Sequence, residues 1–189
     1  MLIFNMWSKI PISLTYFRIA VIPFFVFAFF LPSPEGNWIS CFIFVLAAFT
    51  DYLDGKLARS MNQESKLGSL LDPIADKIIV TVALVLLIHD GTISNISLYA
   101  AMIIISREIL VSGLREFLAK LQVSLPVSSL AKVKTTLQMI SISILLAGDP
   151  GNELLFGFGM QLGILTLWIS AAITVITGYS YFAKGLKYT

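Results

Sequence analysis

Apolar residues run along this chain in long stretches broken by short polar turns. Six stretches stand out: Ser13–Leu31, Trp38–Leu57, Leu70–Ile88, Ile96–Leu114, Thr135–Ala147 and Met160–Phe182. A helix needs roughly 20 apolar residues to cross a bilayer, and all but the fifth stretch approach that length. Turn-forming residues separate them at Pro32, Pro34 and Gly36, from Asn62 to Gly68, at Asp90-Gly91, at Leu125-Pro126, and at Gly148-Asp149-Pro150-Gly151. The pattern predicts an all-α integral membrane protein of six transmembrane helices, forming one domain over residues 1–189. No internal repeat is visible.

Composition narrows the class further. Of the 189 residues 57% are hydrophobic and only 13% charged, with a mean hydropathy of +0.88, more apolar material than a soluble domain of this size could bury. Disorder is excluded too, because 14 Phe, 6 Tyr and 3 Trp are the residues that disordered chains lack. A net charge of +2 gives no reason to expect nucleic acid as a partner. The single cysteine, Cys41, cannot form an intrachain disulfide. The apolar segment Ile19–Leu31 runs into Pro32-Ser33-Pro34-Glu35 without a small-x-small cleavage pattern, so it reads as an uncleaved first span.

The positions of the charges set the orientation. With six spans, all 13 Lys and Arg fall on one side, in its loops or the adjoining helix halves. The opposite loops carry only Glu35, His89, Asp90, Asp149 and Glu153. The positive-inside rule then places both termini in the cytoplasm.

Four of the 11 acids lie in apolar helix ends: Asp51 and Asp54 at the end of the second span, Asp72 and Asp76 at the start of the third. The pairs are spaced i, i+3 and i, i+4, so each shares one helix face, and the short connection lets the two faces converge at the cytoplasmic side. Interfacial ion pairs with Lys56, Arg59, Lys66 and Lys77 would explain one such aspartate. They do not explain four, because converging carboxylates raise one another's pKa unless something strongly positive lies among them. Oxygen donors without His or Cys suit a hard divalent ion, Mg²⁺ or Mn²⁺, and three or four carboxylates could hold two. Gly55 and Ala58 either let helices pack closely or admit a flat ligand to the backbone, and Arg59 beyond them could meet a phosphate. Together these features suggest a nucleotide diphosphate without saying which.

The pattern Asp51-x-x-Asp54-Gly55-x-x-Ala58-Arg59, eight residues, Gly68-x-x-x-Asp72-x-x-x-Asp76 resembles the complete signature of the CDP-alcohol phosphatidyltransferase family, with eight specified residues over 26 positions. The resemblance implies the CDP-alcohol phosphotransferase fold of six transmembrane helices, a homodimer, divalent metal, and attack of an alcohol on a CDP-linked phosphoryl group with release of CMP. The chain is further similar to the bacterial branch that uses CDP-diacylglycerol and sn-glycerol 3-phosphate in the cytoplasmic membrane. The supporting segments are Ile10-Pro11-x-x-Leu14-Thr15-x-x-Arg18, Leu71-Asp72-Pro73-x-Ala75-Asp76-Lys77, Ser106 to Glu116, and Lys132-Val133-Lys134-Thr135-Thr136-x-Gln138. Lys9 and Ile12 depart from it, standing where asparagines are expected. By resemblance, Asp51, Asp54 and Asp72 hold the metals, Asp76 is a shared ligand or the general base, and Gly55, Ala58, Arg59 and Gly68 border the CMP moiety.

A phosphorylated acceptor needs a basic pocket. Arg107 lies well inside the fourth span, where a charge is costly unless it faces water, an anion or a counterion such as Glu108. Arg115 follows two turns later, roughly 80° round the helix, so both can flank one cavity. Lys132 and Lys134 lie some 200° apart, and only one is expected to face inward. Lys120, Lys184 and Lys187 are read as attracted to anionic headgroups, Arg18 as snorkelling to the cytoplasmic interface, and Trp7, Trp38 and Tyr179 as interfacial anchors. Gly157, Gly159 and Gly163 are read as packing positions of the sixth span. The rival readings are a same-family enzyme with another acceptor, such as inositol phosphate or phosphatidylglycerol, and a cation transporter, whose usual repeated halves are not seen.

Overall fold

The computed structural model describes residues 10–61, 66–123 and 128–185, and for 10–17, 51–61, 66–73, 76 and 184 only the backbone path. Among them every regular element is helical: α1 (Ile10–Phe29), α2 (Glu35–Met61), α3 (Lys66–His89), α4 (Ser97–Lys120), α5 (Ser129–Leu146), α6 (Gly148–Leu154) and α7 (Gly159–Gly185). Each of the six apolar stretches falls on one long helix. Most helices outrun their stretch by a turn, because the backbone ladder continues into polar residues that no hydropathy window includes. Ser97–Lys120 and Gly159–Ala183 are long and apolar enough to cross a membrane. Ser129–Leu146 and Gly148–Leu154 qualify only as a pair bent by 103°, and Arg18–Phe29, Glu35–Thr50 and Lys77–His89 are shorter apolar helical segments.

The chain divides into two compact units, Met1–Ala83 and Leu84–Thr189, with the division inside α3. In the first, α1 packs on α2. Phe25 and Phe44 meet with ring centroids 6.2 Å apart, and Ala28 and Ala47 are buried with them. Gly36 lies so close to the carbonyl of Leu31 that no side chain fits there. Phe24, Phe27, Phe42 and Phe49 point outward, each more than half exposed. Arg18 corrects the expectation of a snorkelling residue: it is only 2% exposed and engaged with neighbours, so its side chain is enclosed by protein instead of reaching for solvent.

In the second unit α7 packs against α5, α4 and α6. Its buried positions include Gly163, Leu167, Ser170, Ala171, Thr174, Thr177, Gly178 and Tyr181, whereas Leu162, Leu165, Ile169, Val175 and Ile176 face outward. Small and hydroxylated residues are therefore inside and large aliphatic ones outside, the arrangement expected of a helix surrounded by lipid. Ser141 Oγ donates to the Gly163 carbonyl at 2.7 Å, and a Cβ on Gly163 would come within 2.6 Å of Leu145 Cδ2.

Two expectations about glycines need correction. Gly148 does break the chain, at φ +55°, but Gly148–Leu154 is a short helix instead of a turn. Pro150 lies in its first turn, where a missing N–H costs nothing, and Gly151 is packed onto the Ala147 side chain. Gly157 is not a packing position: its φ is +83° and an added Cβ would meet nothing. It turns the chain into α7, whose Met160 N–H donates to Asn152 Oδ1 at 3.1 Å.

Candidate active site

The aspartate motif spans the end of α2 and the start of α3. Asp51 and Asp54 lie one turn apart on α2, and Asp72 and Asp76 one turn apart on α3. Helical backbone at both places meets the spacing requirement read from the sequence. The side chains of all four, and of Gly55, Ala58, Arg59 and Gly68, lie outside the described residues. As a donor set, four carboxylates fit Mg²⁺ or Mn²⁺ and would not select zinc.

The basic residues of the second unit are described in full. α4 carries Arg107, Glu108 and Arg115, α5 carries Lys132 and Lys134, and α7 faces both helices. The two lysines separate as the helical wheel requires: Lys132 is exposed, and Lys134 is 3% exposed. Lys134 Nζ pairs with Glu108 Oε1, and its carbonyl accepts a long hydrogen bond from Ser170 Oγ at 3.4 Å. Glu108 Oε1 also receives Arg107 Nη1 at 3.4 Å, a long contact. Thus the alternative of an Arg107–Glu108 pair is realised, but weakly.

Arg107 is fixed chiefly by α7. Its Nη2 donates to Thr177 Oγ1 at 3.2 Å, and that hydroxyl can accept because its own proton goes to the Ile173 carbonyl at 2.8 Å. Gly178 gives the arginine stem its path, since a Cβ there would stand 3.1 Å from Arg107 Cγ. Arg107 Nε is buried with no hydrogen-bond partner among the described residues, so the guanidinium retains a donor. One turn on, the Tyr181 ring has Arg107 Cζ at 5.7 Å and Arg115 Cζ at 5.8 Å from its centroid. Both arginines thus approach one ring, which the sequence reading did not single out.

Among the described residues this cluster holds three cations, Arg107, Arg115 and Lys134, against one anion, Glu108. Glu116, the nearby acid, is exposed and lies 3.9 Å from Lys120. Gln138, one turn beyond Lys134, and Thr174, one turn before Thr177, each keep a buried side-chain oxygen without a hydrogen-bond partner among the described residues. Thr177 and Tyr181 were the residues missed. A signal for them existed in the hydroxyl-bearing positions Ser170, Thr174, Thr177 and Tyr181, which recur at helical spacing through an otherwise apolar span.

Comparison with known proteins identifies the family. The family model for CDP-alcohol phosphatidyltransferase matches residues 8–176. A protein of Rickettsia bellii (strain RML369-C) named CDP-diacylglycerol–glycerol-3-phosphate 3-phosphatidyltransferase is 44% identical over 182 residues, covering 96% of this chain and 97% of its own. Proteins of the same name from Haemophilus influenzae and Cereibacter sphaeroides are 41% and 38% identical, covering 94% and 96% of this chain and 94% and 97% of their own. An aspartate pattern filled at every specified position, together with similarity over nearly the whole length, shows that this chain belongs to the CDP-alcohol phosphatidyltransferase family.

Proposed function

We propose that the protein transfers the phosphatidyl group of CDP-diacylglycerol to sn-glycerol 3-phosphate, giving phosphatidylglycerophosphate and CMP in phospholipid biosynthesis. Relatives named for that reaction support it. The observation that carries the choice of acceptor is the excess of positive charge around Arg107, Arg115 and Lys134, which suits a phosphate of about two negative charges and has no use with an uncharged alcohol. Lys132, exposed on the far side of α5, is left to anionic headgroups. Gln138 Oε1 and Thr174 Oγ1 offer acceptors for the glycerol hydroxyls.

Asp51, Asp54, Asp72 and Asp76 would hold two Mg²⁺ or Mn²⁺ ions, which would neutralise charge on the diphosphate and on the departing CMP. Asp76 takes the proton of the acceptor hydroxyl as its oxygen bonds to the phosphatidyl phosphorus. The bond from that phosphorus to CMP breaks, and CMP leaves with the electron pair. Gly55, Ala58, Arg59 and Gly68 border the CMP moiety. The acyl chains remain in lipid, which gives a phosphoryl transferase reason to be built of apolar helices.

In this reading the chain is one catalytic domain with six transmembrane helices in the bacterial cytoplasmic membrane, and its homodimeric state rests on the family resemblance. Both termini and the aspartates face the cytoplasm, a reading supported by the one-sided placement of the 13 basic residues. In a Cys41→Ser background, Ser94→Cys and Glu153→Cys, both at exposed positions, are expected to react with an impermeant thiol reagent added to intact cells. Ser129→Cys should react only after permeabilisation. Labelling of the Ser129 site in intact cells would reverse the orientation.

The function itself is tested by CMP release from CDP-diacylglycerol across a panel of acceptors. Glycerol 3-phosphate should support turnover, whereas glycerol, serine, inositol phosphate and phosphatidylglycerol should not. Equal use of glycerol and glycerol 3-phosphate would remove the acceptor reading and leave family membership intact.

A further inference from the structure

We infer that Tyr181 is a positioning residue that holds Arg107 and Arg115 as a two-arginine clamp for the acceptor phosphate; the inference rests on the acceptor reading above. The two guanidinium carbons lie 5.7 and 5.8 Å from the centroid of this one ring, within the roughly 6 Å at which a cation is drawn to an aromatic face. Two like charges gathered at one place repel, and Glu108, the acid among them, pairs mainly with Lys134. The partial negative charge of the ring faces offsets part of that repulsion before an anion arrives.

The surroundings favour this role over simple space-filling. Tyr181 is 7% exposed, and a cation over a desolvated ring is bound more strongly than one over a ring in water. α7 presents Thr177 and Tyr181 on successive turns, so Arg107 is hydrogen-bonded by the first at 3.2 Å and faced by the second. Arg115 is exposed, and its guanidinium lies over the Tyr181 ring. Without the ring, this long side chain would have to be ordered afresh each time an acceptor bound, and affinity would fall by that entropy. Tyr179, two residues earlier, is 78% exposed and cannot substitute.

The test separates a ring effect from a packing effect. In purified full-length protein, Tyr181→Phe is expected to keep the KM for glycerol 3-phosphate within about twofold of wild type. Tyr181→Leu is expected to raise it about tenfold, equivalent to about 1.4 kcal/mol, with the KM for CDP-diacylglycerol unchanged. Should Tyr181→Leu not fold, phenylalanine analogues of increasing ring fluorination at position 181 preserve the shape while draining the ring faces of charge. The acceptor KM should then climb with fluorination. A Tyr181→Phe loss as large as that of Tyr181→Leu, or an acceptor KM indifferent to fluorination, would overturn the inference. Arg107→Lys measured alongside keeps the two readings apart. A raised acceptor KM in that variant with normal Tyr181 variants removes only the clamp, whereas an unchanged one removes the acceptor site itself.

Discussion

Asp54→Asn is expected to abolish CMP release, with turnover falling about a thousandfold or more. The amide keeps the shape of the carboxylate but not its charge, so a bound divalent ion would lose a ligand while the helix keeps its packing. Metal stabilisation of charge in a transferring phosphoryl group amounts to several kcal/mol, and each 1.4 or so is a factor of ten in rate. Asp51→Asn and Asp72→Asn should behave alike, and all three should weaken Mn²⁺ binding measured by loss of the free-ion paramagnetic signal. Asp76→Asn should lose turnover while retaining more of the Mn²⁺ affinity, as expected of a residue whose main task is the proton. Far-UV circular dichroism would confirm that the variants remain helical. Near-wild-type activity of Asp54→Asn at limiting Mg²⁺ would show that the ligand set is wrong.

The helices were legible because each apolar run is long and each break carries Pro, Gly or Asp. Their ends were less so. α5 begins at Ser129, with Ser128 Oγ accepting from the Ala131 N–H at 3.2 Å, six residues before the apolar stretch starts at Thr135. Two lysines in its first turns hide that start from any reading based on hydropathy. The short α6 was hidden by its own composition, since Gly148, Pro150 and Gly151 spell a turn by propensity, whereas in the fold the segment is helical and packs against α5 and α7. Burial of Arg18 was illegible for a related reason: a charge near a span end looks the same in sequence whether it reaches solvent or meets a partner within the protein.

The site divides in the same way. The aspartate pattern stands out by residue type and spacing alone, and its role rests on the resemblance, since the four side chains lie outside the described residues. Arg107 was legible as a charge in the middle of an apolar run, and the helical wheel correctly required Lys132 and Lys134 to face apart. Which of the two turns inward depends on where α5 meets its neighbours, and only the pairing of Lys134 with Glu108 answers it. Tyr181 was illegible because an aromatic residue near the end of a span usually marks the membrane interface. Its neighbour Tyr179 fits that habit, with 78% exposure. Tyr181 departs from it at 7%, through the packing of α7 against α4.

Arg107→Lys and Arg115→Lys are each expected to raise the KM for glycerol 3-phosphate about tenfold or more, a loss of at least about 1.4 kcal/mol of binding. Lysine keeps the charge, so a purely electrostatic attraction would survive the exchange. What it lacks is the planar fork of donors that grips two phosphate oxygens at once. At Arg107 the exchange also removes the Thr177 hydrogen bond at 3.2 Å and the buried Nε donor that has no partner among the described residues. The larger effect is therefore expected there. At exposed Arg115, where water competes for the same donors, the loss should be smaller. Neither variant should change the KM for CDP-diacylglycerol, because an interaction made only with the acceptor leaves the binding of the lipid donor alone. Initial rates of CMP release, with each substrate varied in turn, measure both constants. Variants defective only toward the CDP-lipid would move these arginines out of acceptor binding and assign the basic cluster to the donor.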